Sequence, residues 1–166
     1  MTKLKRFQIA SVIFTFILGT LLQFTYQWSN KNPIIAIFSS VNESTWEHLK
    51  LVFFPTLITT IIGYHLFGQK VPYFLCAKVV GVLSSMAFIT VFFYTYSGIL
   101  GKNIAWIDIS SFYVAVILGE VIAYYFMIKQ RPCHKKIAIF TFIILAVCFG
   151  IFTFYPPSIG LFTSPV

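Results

Sequence analysis

The chain has 166 residues, of which 58% are hydrophobic, 19% aromatic and only 10% charged, whereas soluble domains carry roughly a quarter charged residues. Its mean hydropathy of +0.88 and its long apolar runs exclude an ordinary soluble domain, and the lack of period-2 alternation excludes a β-barrel. The net charge of +8 would suggest nucleic acid in a soluble protein; here it reflects lysines and arginines that fix orientation beside anionic lipid, so the expected partner is the bilayer and no nucleic acid.

The pattern predicts an all-α integral membrane protein of about five transmembrane helices in a single polytopic domain covering 1–166. The first apolar run, about 7–28, follows Lys3, Lys5 and Arg6, is too long for a signal-peptide core and leads to no small-residue cleavage site, so it reads as an uncleaved span. Asn30-Lys31-Asn32-Pro33 ends it. Pro33 to Phe38 is apolar but too short to cross, and reads as an interfacial or re-entrant segment. Further spans are expected at about 49–66, with Pro55 as a kink point, 71–96, 104–128 and 137–155, followed by a tail from Pro156. Cys76, Cys133 and Cys148 are far apart with no C-x-x-C, and give no metal or disulfide signal.

With the N-terminus cytoplasmic, Lys3, Lys5, Arg6, Lys70, Lys129, Arg131, Lys135 and Lys136 fall inside, and Lys31, Lys50 and Lys102 outside. Trp28, Trp46 and Trp106 then sit at the outer interface, where indoles are favoured. The expected location is the cell membrane, with an outer C-terminus and homo-oligomerisation possible.

Ser39 to Lys50 is the one dense polar constellation. It contains two of the four acidic residues, Glu43 and Glu47, together with Asn42, His48 and Lys50. Two capping boxes overlap here, Ser40-x-x-Glu43 and Ser44-x-x-Glu47, and only one can start a helix. A start at Ser40 would make Glu43 the capping glutamate and leave Glu47, Lys50 and His48 for function, level with Asp108 of the fourth span. Ser44 and His48 share a face and could form a nucleophile–base pair, although serine here is more simply a cap. Neither H-E-x-x-H nor Glu-x-x-His occurs, so a metal would have to draw on Glu47, His48 and Asp108; no cofactor can be named. Lys78 and Glu120 lie at similar depth in antiparallel spans and are expected to form an intramembrane ion pair, which His65 could join.

The run Val41-Asn42-Glu43-Ser44-Thr45-Trp46-Glu47-His48-Leu49-Lys50-Leu51 resembles the core motif, close to P-V-N-E-S-x-W-E-H-x-K-L, of an uncharacterised family of small prokaryotic multi-pass membrane proteins, a domain of unknown function. The tail Phe152 to Pro157 with Leu161-Phe162 is similar to a second feature of that family, a Pro-Pro segment leading to L-F-x-D. Ser40 stands where the pattern has Pro, and Ser164 where it has the acidic residue. The resemblance implies the membrane topology and the importance of the motif, and no activity. Three functions remain open: binding or transport of an ion or small polar molecule at an outer-facing polar site, a membrane-embedded and metal-assisted hydrolase at the outer leaflet, and a structural or regulatory subunit.

Overall fold

The computed structural model describes residues 2–68, 70–71, 73–129 and 134–164. The elements are α1 (Thr2–Trp28), α2 (Pro33–Ala36), α3 (Thr45–Phe67), α4 (Phe74–Leu100), α5 (Ala105–Lys129), α6 (Lys135–Phe154) and a closing 3₁₀ turn (Gly160–Phe162). Five of these helices are long and apolar enough to cross a membrane, with the one-turn α2 placed before the second of them. Part of the basic loop between α5 and α6, including Arg131 and Cys133, lies outside the described residues.

Each span ends for a local reason. After α1, Asn30 and Lys31 take left-handed conformations (φ 55° and 61°) that break the helix. The Asn32 side chain then accepts from the Ile34 amide and starts α2, with Pro33 in the first turn. Gly101 closes α4 at φ 67°, where a side chain would be strained.

The spans form two antiparallel pairs, α1 on α3 and α4 on α5, and α3 also packs against α4. The α4–α5 crossing is set by small residues. A Cβ on Gly81 would lie 2.5 Å from the Gly119 carbonyl oxygen, and one on Gly119 only 2.0 Å from Ser85 Oγ. Ser85 in turn donates to the Ala115 carbonyl at 2.8 Å, an interhelical hydrogen bond available only at this close approach. On the other pair, Pro55 has no N–H for the Leu51 carbonyl. Gly19 brings α1 against that carbonyl, where a Cβ would stand 2.6 Å from the oxygen. The apolar core joins α3, α4, α5 and α6 around Phe53, Val82 and Phe149.

Outward faces are mostly apolar, as in Ile9, Ile13 and Ile17 of α1 or Ile143 and Val147 of α6, and exposed hydroxyls such as Thr95 and Thr141 bond the carbonyl one turn back, which is how helices meet lipid. The inward face of α1 is different. Its buried residues are Gln8, Ser11, Thr15 and Gly19, at helical spacing, with no large apolar side chain among them.

Two expectations need correction. Trp28 and Trp106 are 67% and 69% exposed, but Trp46 is 9% exposed and packs against Phe149, Phe152 and Phe162, so it ties the tail to α3 and α6 instead of presenting its indole to lipid. Cys76 is disulfide-bonded, which the cysteine spacing did not signal.

The close crossing of α4 and α5 should tolerate no methyl group. Gly119→Ala should destabilise by about 1–3 kcal/mol, the usual range for overpacking. Gly150→Ala, which meets nothing within 4 Å, should be neutral or slightly stabilising. Thermal unfolding in detergent reads the difference.

Candidate functional site

The helix α3 begins one box later than expected. Ser44 is the N-cap, in extended conformation, and its Oγ accepts from the Glu47 amide at 3.4 Å. The preceding loop fixes this start. Ser39 is fully buried; its hydroxyl accepts from the Tyr26 amide at 2.9 Å and donates to the Leu22 carbonyl, entering the α1 hydrogen-bond ladder where those two groups would otherwise pair. The Ser40 hydroxyl donates to the Asn42 carbonyl at 2.6 Å, and Asn42 Oδ1 accepts from the Ser44 amide at 2.9 Å. Ser40 and Asn42 therefore shape the turn, and Ser40 is no helix cap.

This start exchanges the two glutamates. Glu47, at the third helical position, does not close its box onto Ser44. Its carboxylate turns inward, 2.5 Å from Lys50 Nζ, and accepts from the Val41 amide at 2.9 Å and the Thr153 hydroxyl at 3.4 Å. Lys50 is fully buried and also donates to the Ala36 carbonyl at 2.8 Å and to Thr153 Oγ1 at 3.0 Å. One ion pair thus holds α2, the polar loop, α3 and α6 together, and Glu47 and Lys50 belong to the framework.

Glu43, by contrast, has its side chain 68% exposed, and faces His48 Nε2 at 3.4 Å. His48 Nδ1 donates to the Ser44 carbonyl at 2.9 Å. A carbonyl can only accept, so Nδ1 carries a proton, and an attractive contact from Nε2 to the carboxylate requires a second one. The hydrogen bond from His48, followed by its charge, holds the Glu43 carboxyl below the usual glutamate range against the opposing effect of desolvation. Gln23 of α1 adds an amide donor to Glu43 at 3.2 Å.

These groups line a cleft of about 520 Å³ enclosed by the adjoining ends of α1, α3, α4 and α5. Across from Glu43 and His48 lies Asp108, which accepts a hydrogen bond from the Tyr96 hydroxyl; Tyr96 accepts in turn from the Ile104 amide at 3.3 Å. Asn103 and the hydrogen-bonded hydroxyls of Thr20 and Tyr113 complete the polar side. Gly19, Leu51, Ile89, Phe93 and Phe112 make the apolar remainder.

The structure therefore brings Glu43, His48 and Asp108 to one cavity and sends Glu47 and Lys50 elsewhere; Asn42 is spent on its turn. Ser44 and His48 form no nucleophile–base pair, since the hydroxyl caps the helix and the ring binds the Ser44 carbonyl. Among the described residues no three His, Cys, Asp or Glu side chains are grouped to hold a metal ion. Lys78 and Glu120 meet deep in the bundle, Nζ lying 2.7 and 2.6 Å from the two carboxylate oxygens, while His65 is exposed and stays out of that pair. Gln23, Tyr96, Thr20 and Tyr113 were missed because uncharged polar residues inside apolar runs attract no notice. The signal for Gln23 was its place above the polar face of α1.

The exchange of roles is testable. Glu47→Gln leaves the buried Lys50 charge unpaired and should cost about 3–5 kcal/mol of stability. Glu43→Gln, at an exposed side chain, should lower the unfolding temperature at neutral pH far less than Glu47→Gln does. Because His48 depresses the Glu43 pKa, their contact stabilises above the unfolded value and is lost as pH falls through the folded one. Glu43→Gln should therefore flatten that acid limb of the stability curve.

No curated protein and no solved structure matches the chain. The sequence does match, over residues 1–166, the model of a family of unknown function, DUF6512, and the chain belongs to that family.

Proposed function

We propose that the cleft is a binding site for a small amphiphilic cation, in a multi-pass membrane protein that keeps its N-terminus in the cytoplasm and opens the cleft toward the outer face. The observation that carries this reading is the sorting of the four acidic residues. Glu47 and Glu120 are each neutralised by a buried lysine, whereas Glu43 and Asp108 both line the cleft and pair with no lysine or arginine among the described residues. In a chain of net charge +8 this is a local negative site, and it stays negative even with His48 as imidazolium.

The form of the cleft supports the same ligand. Its volume is within the roughly 300–1,000 Å³ of small-molecule sites, and an apolar wall faces a few convergent polar groups. Aromatic side chains such as Phe93 and Phe112 suit the apolar body of a lipophilic cation, and the carboxylates suit its charge. The outward orientation rests on the charge asymmetry of the loops and on Trp28 and Trp106 flanking the cleft end.

Binding of tetraphenylphosphonium to the protein in lipid nanodiscs tests the site. Glu43→Gln and Asp108→Asn should each weaken it by about tenfold, the value of one charge-assisted contact. Neutral triphenylphosphine oxide should bind poorly to all forms. Equal binding of the two compounds, or undiminished cation binding in the double variant, would refute the reading. For orientation, alkaline phosphatase fused after Thr163 should be active and a green fluorescent protein fused there dark; the reverse pattern would invert the topology.

A further inference from the structure

We infer that the polar seam beneath the cleft is a proton path through the bundle, with the Lys78–Glu120 pair as its mid-membrane station. The buried face of α1 carries Gln8, Ser11 and Thr15; the Gln8 amide nitrogen donates to Met127 Sδ at 4.0 Å, while Gln8 Oε1 and Thr15 Oγ1 are buried without a hydrogen bond among the described residues. Ser11 and Thr20 each bond the carbonyl one turn back, the usual resort of a hydroxyl in an apolar helix. Thr15 does not, although it is fully buried, so its hydroxyl keeps its hydrogen-bonding capacity unspent.

The packing says what lies at that depth. Gly19 meets Leu51 and Gly63 meets Phe7, so the antiparallel register puts Thr15 level with Pro55 and Thr56. Thr56 borders a second cavity of about 10 Å³, lined also by Lys78, Ser85 and Glu120. That is space for one water, which needs roughly 10–15 Å³ by this measure, and far too little for a hydrated metal ion. The cleft floor at Gly19, Ile89 and Phe112 is about one helical turn above Thr15 and Ser85. From Gln23 in the cleft to Gln8 the α1 rise is about 22 Å, most of a hydrocarbon core of about 30 Å.

A proton suits these dimensions and these groups. Each hydroxyl or water accepts a proton on one lone pair and passes on another, so no charge need remain on it. Both Glu120 oxygens accept from Lys78 and keep a further lone pair, so a proton arriving there neutralises the carboxylate for its dwell time and leaves through the water-sized cavity beside it. The same small polar residues would also serve close helix packing alone, and proton flux separates the two roles.

The test uses the full chain reconstituted in liposomes that hold a pH-sensitive dye, with a potassium diffusion potential set by valinomycin. Potential-driven proton entry should exceed that of protein-free vesicles by roughly tenfold or more. The near-isosteric Thr15→Val should slow it by about tenfold, as the loss of one buried hydrogen-bonding group would. Lys78→Met with Glu120→Leu should reduce it to the protein-free rate, with helix content retained by circular dichroism. A wild-type rate equal to that of empty vesicles, or full flux in both variants, would overturn the inference. Tetraphenylphosphonium binding, measured on the same variants, should be unaffected, so the cleft reading and the path stand or fall separately.

Discussion

The ion pair between Glu47 and Lys50 is the constraint on which the rest of the arrangement depends. Two charges removed from water at a membrane boundary must satisfy each other and their remaining hydrogen-bonding capacity. They do so by recruiting the Val41 amide, the Ala36 carbonyl and Thr153, which draws α2, the polar loop and α6 onto the first turns of α3. With Glu47 turned inward, Glu43 is carried to the opposite side of the loop, where it meets His48 and Gln23 at the cleft. The framework pair thereby decides which carboxylate is available to a ligand.

Small residues accomplish the same thing at other depths. Gly19 and Pro55 act together on the α1–α3 pair, one admitting the neighbouring backbone and the other removing the donor that would have bonded the Leu51 carbonyl. Gly81, Gly119 and Ser85 bring α4 and α5 close enough for Lys78 to reach both oxygens of Glu120. Between its lipid-facing surfaces the bundle keeps an apolar core around Phe53, Val82 and Phe149, and beside it small and polar residues that let helices approach and bond across their contacts.

The spans were legible in the sequence because each is a predominantly apolar run, with at most a few charged residues, whose length is dictated by the bilayer. Lys78 with Glu120 was legible because depth along antiparallel helices follows from counting residues, and an isolated buried charge has few alternatives to a partner. The choice between the two capping boxes was not legible. Ser40-x-x-Glu43 and Ser44-x-x-Glu47 are locally equivalent, and the choice was made by tertiary contacts: Ser39 entering the α1 ladder and Lys50 burying against α2 and α6. Trp46 was misplaced for a related reason, since proximity to a membrane boundary does not reveal that a tail will fold back over the indole. Within the cleft the charged members stood out in the sequence, while Gln23 and Tyr96 required knowing which helices adjoin.

The central claim is that Glu47 belongs to the framework and Glu43 to the cleft. It is tested most directly by the double variant Glu47→Leu with Lys50→Met, measured for both unfolding and tetraphenylphosphonium binding. Removing both charges together leaves no unpaired ion, so the double variant should be more stable than either single one and should bind the cation as the native chain does. A well-folded double variant that no longer binds, beside a Glu43→Gln variant that binds as the native chain does, would place Glu47 in the site and contradict the account.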